Sequence, residues 1–552
     1  MLRSISRGGS SRLRIGVYRL LSVNDRMSSS FPVTLQDLYK MPSQEQLTPC
    51  IGTIKGSIPN WLNGNLYRNG PAKFEVGDTK YNHLFDGLAM IHHFQIKNGV
   101  VTYRNRFVQS DTYKKNMAAN RIVVSEFGTL AFPDPCKNIF QRFFSKFTKA
   151  ETTDNTSVNI YPISDELYAA TETKFLRQID PETLDSPAKV NLSDIAVLHT
   201  ATAHPHIESD GTVHNIGISQ EGRQVYYALF KIPPSEKVNN GESPAPLSKA
   251  SVTARIPIAK NTYPKYMHSF GMSENYYLVT EQPLTINILK IATQKFFNWD
   301  FSSFLNWNKE DYTRFRVIDR KTGAEIDTVR YVTDKLFTFH HTNVYEEDDH
   351  LIIDLSGYDN SDIMFDVGLN KKGRDDTKMS QARRYVLPLK VDNTVDNGKN
   401  LVSLRTSKAT AVKKGSDIFC THELLTDENT SFELPTINYN SCLGTKYRYF
   451  YGISFANNNL MANKIIKVDS ETREVKSWYE EKEAPSEVVF VPRPGATDED
   501  DGVLLSSVLD WSNLENTKGY LLVLDAKTLE ELGRACFDFH LGRDFHGMFK
   551  QN

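Results

Sequence analysis

The chain has 552 residues, of which 39% are hydrophobic and 24% charged, and its formal net charge at pH 7 is −2. This length allows a large buried core, and the balanced charge gives no bulk affinity for polyanions, so we do not expect nucleic-acid binding. The cysteines lie far apart without a CxxC pair, at Cys50, Cys136, Cys420, Cys442 and Cys536. This spacing disfavours a disulfide framework and a thiolate zinc site, and it favours a reducing compartment.

The first 26 residues differ in composition from the rest of the chain, because they are rich in arginine and serine and the first acidic residue is Asp25. Such a start is typical of a mitochondrial transit peptide. We therefore expect residues 1–30 to be a mitochondrial presequence or a disordered tail, and residues 31–552 to form one catalytic domain. The alternatives are a start at Met27 that omits the segment, and a cytoplasmic location with peripheral membrane association.

Membrane contact is predicted from one aromatic segment. No run approaches the roughly 20 apolar residues that a spanning helix needs. Residues 296–307, FFNWDFSSFLNW, carry large aromatic side chains and follow the apolar stretch LTINILKIATQK. The pattern fits either an interfacial patch on a membrane surface or an ordinary core helix.

Beyond residue 31, short strand-like runs separated by polar turns predict an all-β fold; examples are VYYALFKI, FRVID, LIIDL, KIIKVD and YLLVLD. One pattern recurs, in which an apolar strand ends in Asp-x-x-Thr and a second strand follows. Its copies begin at Asp180, Asp319, Asp469 and Asp525. The aspartate can cap its own turn, so each copy predicts a hairpin. Hairpins repeated over several hundred residues favour a β-propeller over a two-sheet sandwich.

Four histidines in distant apolar segments are the strongest functional signal: His204, His268, His340 and His546. A buried imidazole needs partners for its ring nitrogens, and a shared metal ion would supply one for all four. Three glutamates in strand-like contexts could accept the second ring proton of three ligand histidines: Glu172, Glu433 and Glu487. Taken singly, each histidine is more often a hydrogen-bonded core residue than a ligand. The residues alone also do not separate His340 from His341, or His204 from His206.

Several longer blocks resemble the carotenoid cleavage oxygenases, most closely their animal branch of β-carotene oxygenases and retinoid isomerase. They include WLNGNLYRNGP, LFDGLAMIHHF, ATAHPHIESDGTVHNIG, FHHTNVYEED, RRYVLPL, PSEVVFVPRPG and FHGMF. The resemblance runs from about Pro59 to the C-terminus. It implies a seven-bladed propeller, capped by loops and short helices, with iron(II) on its axis.

The resemblance also assigns roles. It implies that the iron ligands are His204, His268, His340 and His546, and that Glu172, Glu433 and Glu487 are the carboxylates behind them. Thr171 matches a residue whose methyl group crowds an open iron position. Four imidazoles suit iron, copper, nickel and zinc about equally, and iron is preferred because the family performs redox chemistry with dioxygen.

The function implied is an iron(II) dioxygenase that uses dioxygen to cleave a double bond of a carotenoid or apocarotenoid into aldehyde or ketone products. An apolar tunnel open to a membrane would suit such a substrate. The alternatives are a retinoid isomerohydrolase acting on retinyl esters, a combined isomerase and oxygenase, and a carotenoid-binding protein without turnover. The sequence leaves open the bond that is cleaved and the oligomeric state.

Overall fold

The computed structural model describes residues 44–135, 152–235, 247–297, 300–369, 378–392, 394–455 and 461–552. Its strands form seven four- to six-stranded sheets and two short hairpins. The seven sheets are the blades of a β-propeller, which confirms the predicted fold class. The presequence predicted for residues 1–30 lies outside the described residues.

Blade 1 combines the C-terminal strand with strands near the start of the described chain, and blades 2 and 3 follow in chain order. From the inner strand outward, blade 1 contains His546–Gln551, Gly64–Lys73, Leu88–Lys97, Val100–Phe107 and Cys50–Ile51. Blade 2 contains Asn159–Ile163, Glu166–Ala170, Phe175–Ile179 and Lys189–Asn191. Blade 3 contains Leu198–Ala201 with His206–Ile207, then Val213–Glu221, Gln224–Ile232 and Ser251–Pro257.

Blade 4 includes a hairpin that comes from the chain connection within blade 5. Blade 4 contains Gly271–Met272, Tyr276–Glu281, Thr313–Asp319, Arg330–Thr333, Asp417–Thr421 and Thr410–Lys414. Blade 5 contains Phe337–Glu347, His350–Tyr358, Gln381–Pro388 and Glu423–Leu424. The last two strands of blade 4 come from the connection inside blade 5, and Asp417–Thr421 pairs in parallel with Arg330–Thr333.

Blade 6 contains Glu433–Thr436, Tyr449–Phe455, Ala462–Asp469 and Val475–Tyr479. Blade 7 contains Glu483–Pro485 with Val489–Pro492, then Gly502–Asp510, Lys518–Asp525, Glu531–Phe537 and Thr53–Gly56. The ring is closed at two places. The C-terminal strand is the inner strand of blade 1, and Thr53–Gly56 is the outer strand of blade 7, so both ends of the described part of the chain tie these two blades together.

The remaining elements lie in the loops. Short hairpins pair Glu75–Val76 with Thr79–Lys80 and Leu284–Ile286 with Leu305–Trp307. Among the described residues, the helices are Leu84–Asp86, Asp111–Ala119, Ser193–Ala196, Ile288–Phe297, Phe301–Phe304, Ile363–Asp366 and Tyr439–Cys442. Over the part of the chain that the structure describes, no helix has the length and apolar character needed to cross a bilayer.

Apolar clusters fill the spaces between successive blades, and the strand Lys518–Asp525 shows how the sequence encodes them. Side chains alternate between the two faces of a strand. Leu521 and Val523 pack in the cluster shared with blade 1, whereas Leu522 and Leu524 pack in the cluster shared with blade 6. Because both faces are buried, the run YLLVLD is apolar throughout instead of alternating with polar residues.

The recurring Asp-x-x-Thr pattern forms the same turn in four blades. In blades 2, 4, 6 and 7 it follows the third strand, and the aspartate Oδ1 accepts the backbone N–H of the threonine, as between Asp319 and Thr322 at 2.7 Å. The predicted hairpin connection is therefore confirmed at each copy. Blades 1, 3 and 5 lack the pattern, which is why the sequence repeat shows four copies and not seven.

Candidate metal centre

Each blade places one of the seven predicted metal-site residues near the common centre. The histidines come from blade 3 (His204), blade 4 (His268), blade 5 (His340) and blade 1 (His546), and each lies in or next to an inner strand. The glutamates come from blade 2 (Glu172), blade 6 (Glu433) and blade 7 (Glu487). No local motif connects these residues; the ring of blades brings them together.

The four histidines form one compact cluster. One ring nitrogen from each lies within 4.8 Å of those of the others. The Nε2 atoms of His204 and His268 are 2.9 Å apart, and the His204 ring centroid lies 4.5 Å from that of His546 and 4.9 Å from that of His340. The four rings are thus in mutual contact around one point.

Three of these rings are oriented by a carboxylate behind them. Nδ1 of His340 donates to Oε2 of Glu433 at 2.7 Å, and Nδ1 of His546 donates to Oε1 of Glu487 at 2.7 Å. Nδ1 of His268 donates to Oε1 of Glu172. An ionised carboxylate only accepts hydrogen bonds, so Nδ1 carries the proton in each ring. Each Nε2 is then an unprotonated nitrogen that directs its lone pair into the cluster.

The charge state of the cluster also suits a cation. Burial, followed by the charge of the neighbouring histidines, holds the pKa of His204 well below its usual value. Burial likewise lowers the pKa of His268 and His546, although Glu172 and Glu487 act in the opposite direction. Three of the rings are therefore neutral near pH 7, which is the form that binds metal ions.

A buried ring nitrogen of His340 without a hydrogen-bond partner indicates whether a metal ion would fit the cluster. Among the described residues, Nε2 of His340 is buried and has no hydrogen-bond partner. A buried polar atom without a partner is costly, and a cation shared by the four rings would satisfy this atom together with its neighbours. The donor set therefore fits a metal ion that accepts imidazole ligands, and the four histidines could hold one.

The structure also places the histidines that compete with them. Nδ1 and Nε2 of His341 lie 2.8 Å from Ser269 Oγ and 2.9 Å from Thr280 Oγ1, so both ring nitrogens point away from the cluster. Nε2 of His206 donates to the carbonyl of Phe270, and its Nδ1 accepts from Tyr439. His341 and His206 are thus outside the four-histidine cluster. Thr171 is half-buried and directly precedes Glu172.

The residues that contact the three glutamates were not predicted from the sequence. The Tyr266 hydroxyl lies 2.8 and 3.0 Å from the two carboxylate oxygens of Glu172. Tyr358 lies beside Glu433, and burial together with this carboxylate raises the pKa of its hydroxyl. Arg68 donates to Oε2 of Glu487 at 2.8 Å. The available signal was a polar residue within an apolar strand, as at Arg68 in NLYRNGP, but it does not identify the partner.

An aromatic surface adjoins the cluster. The ring centroid of Phe339 lies 5.0 Å from that of His268, and Phe85 contacts Phe339, Phe127 and Phe545 at 5.8 to 6.4 Å between centroids. Phe85, Phe127 and Phe545 are half-buried. The histidine cluster therefore borders an apolar surface of the kind that binds hydrophobic ligands.

Comparison with known proteins identifies the family. Residues 40–551 match the family described as Retinal pigment epithelial membrane protein, RPE65. The chain belongs to this family of carotenoid cleavage oxygenases, which confirms the resemblance seen in the sequence blocks.

Among curated relatives, beta,beta-carotene 15,15'-dioxygenase of Rattus norvegicus is 41% identical over 525 residues, which cover 93% of this chain and 91% of that protein. The mitochondrial carotenoid-cleaving dioxygenase of Homo sapiens is 43% identical over 514 residues, with coverages of 90% and 87%. A solved structure of cobalt-substituted Synechocystis ACO has the same fold, with a TM-score of 0.73, 21% identity and coverages of 94% and 99%.

Proposed function

We propose that this protein is an iron(II)-dependent dioxygenase that cleaves a double bond of a carotenoid or apocarotenoid to aldehyde or ketone products. The cluster of His204, His268, His340 and His546 beside an aromatic surface carries this proposal. The names of the relatives, which describe carotene and carotenoid dioxygenases, support the substrate class.

Iron(II) is the metal that we assign to the four histidines. Imidazole nitrogens bind several first-row metals, and bound iron(II) would supply the activation of dioxygen that double-bond cleavage needs. The glutamates fix the tautomers of three rings and offset the charge of a dication. The methyl group of Thr171 would crowd an open position beside the iron, as the family resemblance implies.

The contribution of the chain to the reaction is positioning. A conjugated polyene is long and apolar, so its binding energy comes from burial against aromatic side chains such as Phe85, Phe127 and Phe339. This binding excludes water and holds one double bond near the histidines. The shape of the apolar surface then decides which bond is cleaved.

The proposal is tested with purified, iron-loaded protein and three substrates: β-carotene, a xanthophyll and a retinyl ester. Each is incubated in air and under nitrogen, and the products are identified by chromatography and mass spectrometry. We expect aldehydes that form in air alone, with chain lengths that reveal the cleaved bond. Retinol of changed geometry, formed from the ester under nitrogen, would instead establish a retinoid isomerohydrolase.

We infer a mitochondrial location for the protein, with residues 1–30 as a presequence and residues 31–552 as the catalytic domain. The arginine-rich start supports this, as does the word mitochondrial in the names of several relatives. A fusion of residues 1–30 to a fluorescent protein should enter mitochondria. A fusion that stays in the cytoplasm would contradict the inference.

We also infer peripheral contact with a membrane, but through the preceding helix Ile288–Phe297 and not through the aromatic segment 296–307 as a whole, because Phe304 in that segment is buried. Ile288, Leu289 and Ile291 on this helix are exposed, with 65% of the Leu289 surface accessible. Exposed aliphatic side chains on one helix are typical of interfacial binding. Replacing Leu289 with glutamate should reduce co-sedimentation with phospholipid vesicles, whereas unchanged co-sedimentation would exclude this helix from the contact.

A further inference from the structure

Arg68 is a fully buried arginine with 1% of its surface exposed, and it lies one residue layer behind the histidine cluster. Its Nη1 donates to Oε2 of Glu487 at 2.8 Å. Its Nη2 and Nε donate to Oδ1 of Asp544 at 2.6 and 3.0 Å, and Nη2 also reaches the carbonyl of Phe545 at 3.1 Å. A buried guanidinium is costly unless it is fully paired, so these contacts constrain one another.

These contacts connect the two blades at which the ring closes. Arg68 belongs to blade 1 and Glu487 to blade 7, whereas Asp544 precedes the C-terminal strand and accepts from Ser507 of blade 7 at 2.6 Å. Glu487 in turn accepts from His546 and from the backbone N–H of Gly547 at 3.2 Å. A continuous network therefore runs from the ring closure to one ring of the histidine cluster.

The backbone fits this network closely. Arg68 pairs with Gly547 in the strand register, and Asn69 pairs with His546. A Cβ atom on Gly547 would lie 2.6 Å from Cδ of Arg68 and 2.2 Å from the carbonyl oxygen of Tyr67. The arginine side chain thus lies against the closing strand at a position where only glycine leaves room for it.

The other two glutamates are held differently. Glu172 and Glu433 lie beside the hydroxyls of Tyr266 and Tyr358, which are neutral. Among the described residues, Glu487 is the one glutamate of the three that pairs with arginine. The one glutamate that pairs with arginine is therefore also the one that lies where blades 1 and 7 close the ring.

We propose that Arg68 is a positioning residue that couples metal binding at the histidine cluster to docking of the C-terminal strand His546–Gln551. Arg68 holds Glu487 in the orientation that fixes the His546 ring, and it binds Asp544 and Phe545 at the entrance to that strand. A metal ion on His546 thus stabilises the docked strand, and by linkage the docked strand strengthens metal binding by the same factor. The inference rests on the metal site proposed above.

The experiment uses the full chain, cobalt(II) alone as the probe, and the variant Arg68→Lys. Lysine keeps the charge but loses the fork that contacts Glu487 and Asp544 together. Cobalt(II) affinity is measured by competition with a chelator, and hydrogen exchange of the strand His546–Gln551 is measured with and without cobalt(II). We expect cobalt(II) to protect the strand in the wild type. In Arg68→Lys, we expect affinity to fall about 10- to 100-fold and the added protection to shrink even at saturation.

Arg384→Lys is the matched control. Arg384 is also buried and binds Asp354 with two hydrogen bonds of 2.7 Å, but this pair lies within blade 5 and does not contact the seven metal-site residues. We expect its cobalt(II) affinity and strand protection to equal those of the wild type. Coupling is disproved if Arg68→Lys behaves like the wild type, or if Arg384→Lys weakens cobalt(II) binding as much as Arg68→Lys does.

Two further measurements keep the test decisive. If Arg68→Lys does not fold, Ser507→Ala replaces it, because this change removes the contact with Asp544 and leaves Arg68 and Glu487 in place; unchanged strand protection would then overturn the coupling. A wild type that binds no cobalt(II), or binds it equally well after His340→Ala, would overturn the proposed metal site itself. If the wild type binds cobalt(II) through the histidines and Arg68→Lys has the same affinity and strand protection, only the coupling is overturned.

Discussion

The two sides of the histidine cluster differ in how firmly they are held. On one side, His340 and His546 are fixed by Glu433 and Glu487, whose side chains are only 6% and 11% exposed. On the other, Glu172 behind His268 is 32% exposed, and among the described residues His204 has no carboxylate partner. Buried charges interact more strongly than solvated ones, so the first pair forms a rigid side and the second a compliant side.

The rigid side should be the one that retains the metal. His340→Ala removes the ring whose Nε2 has no other partner, and we expect metal content and cleavage activity to be lost together. The loss of metal affinity should exceed the roughly 10- to 100-fold that partners behind the ligands contribute. Elemental analysis and product formation measure the two effects.

The adjacent histidine is the control for this change. His341→Ala removes hydrogen bonds to Ser269 and Thr280, so it should lower the free energy of unfolding by about 1–3 kcal/mol while the metal stays bound. An active His340→Ala protein with full metal content would remove His340 from the site.

Neutralising one glutamate on each side compares the two sides directly. We expect Glu433→Gln to weaken metal binding by about 10- to 100-fold, because the buried amide no longer offsets the charge or fixes the ring proton. Glu172→Gln should weaken it less, because water reaches this carboxylate and screens its charge. Chelator competition measures both affinities. Equal losses, or a larger loss for Glu172→Gln, would refute the distinction between the two sides.

Removing one hydroxyl group tests how the compliant side is held. Tyr266→Phe removes the hydroxyl that lies within 3.0 Å of both carboxylate oxygens of Glu172 and of His268 Nδ1. One such hydrogen bond contributes about 0.5–1.5 kcal/mol, so we expect metal affinity to fall by a few-fold. The exposed Tyr312 provides the control, Tyr312→Phe, which should have wild-type affinity. A loss as large as that of Glu433→Gln would make Tyr266 part of a rigid side.

Much of the fold could be predicted because its signals are local. The Asp-x-x-Thr turns depend on residues three apart, and runs such as YLLVLD reflect a strand buried on both faces. The exchange of Thr410–Lys414 and Asp417–Thr421 into blade 4 could not be predicted, because its parallel pairing joins residues more than 80 positions apart. The repeat also did not reveal the three blades that lack the turn pattern. The total of seven blades came from the family resemblance.

The candidate site shows the same division. The pattern of apolar strands does not distinguish His340 from His341. The family resemblance selected His340, which is the one that the structure places in the cluster. Arg68, Tyr266 and Tyr358 act on the glutamates through contacts between blades. Such contacts leave no periodic trace in the chain, so a buried arginine at Arg68 indicates that a partner exists without showing that it is Glu487.

Glu483 extends the comparison, because it lies on the inner edge of blade 7 four residues before Glu487 yet has poorer partners. Its Oε1 is 3.4 Å from Arg534, which also binds Glu480 and Glu531, and Asp510 stands opposite in the strand register. Burial, opposed by Arg534 and reinforced by these carboxylates, raises the pKa of Glu483 to about 8, whereas the pKa of Glu487 is lowered.

The raised pKa makes stability fall with increasing pH. A carboxyl group whose folded pKa exceeds its unfolded value of 4.5 favours the folded state fully below pH 4.5, and this contribution is lost as the pH rises to about 8. The side chain of Glu483→Gln cannot ionise. Above pH 8 the free energy of unfolding of this variant should therefore exceed that of the wild type by roughly 1–3 kcal/mol, and near pH 5 the two free energies of unfolding should be equal. Denaturant unfolding at several pH values measures this, with the exposed Glu530→Gln as control. A constant difference at all pH values would mean that folding leaves the pKa of Glu483 at its unfolded value, so that Arg534 fully offsets the effect of burial.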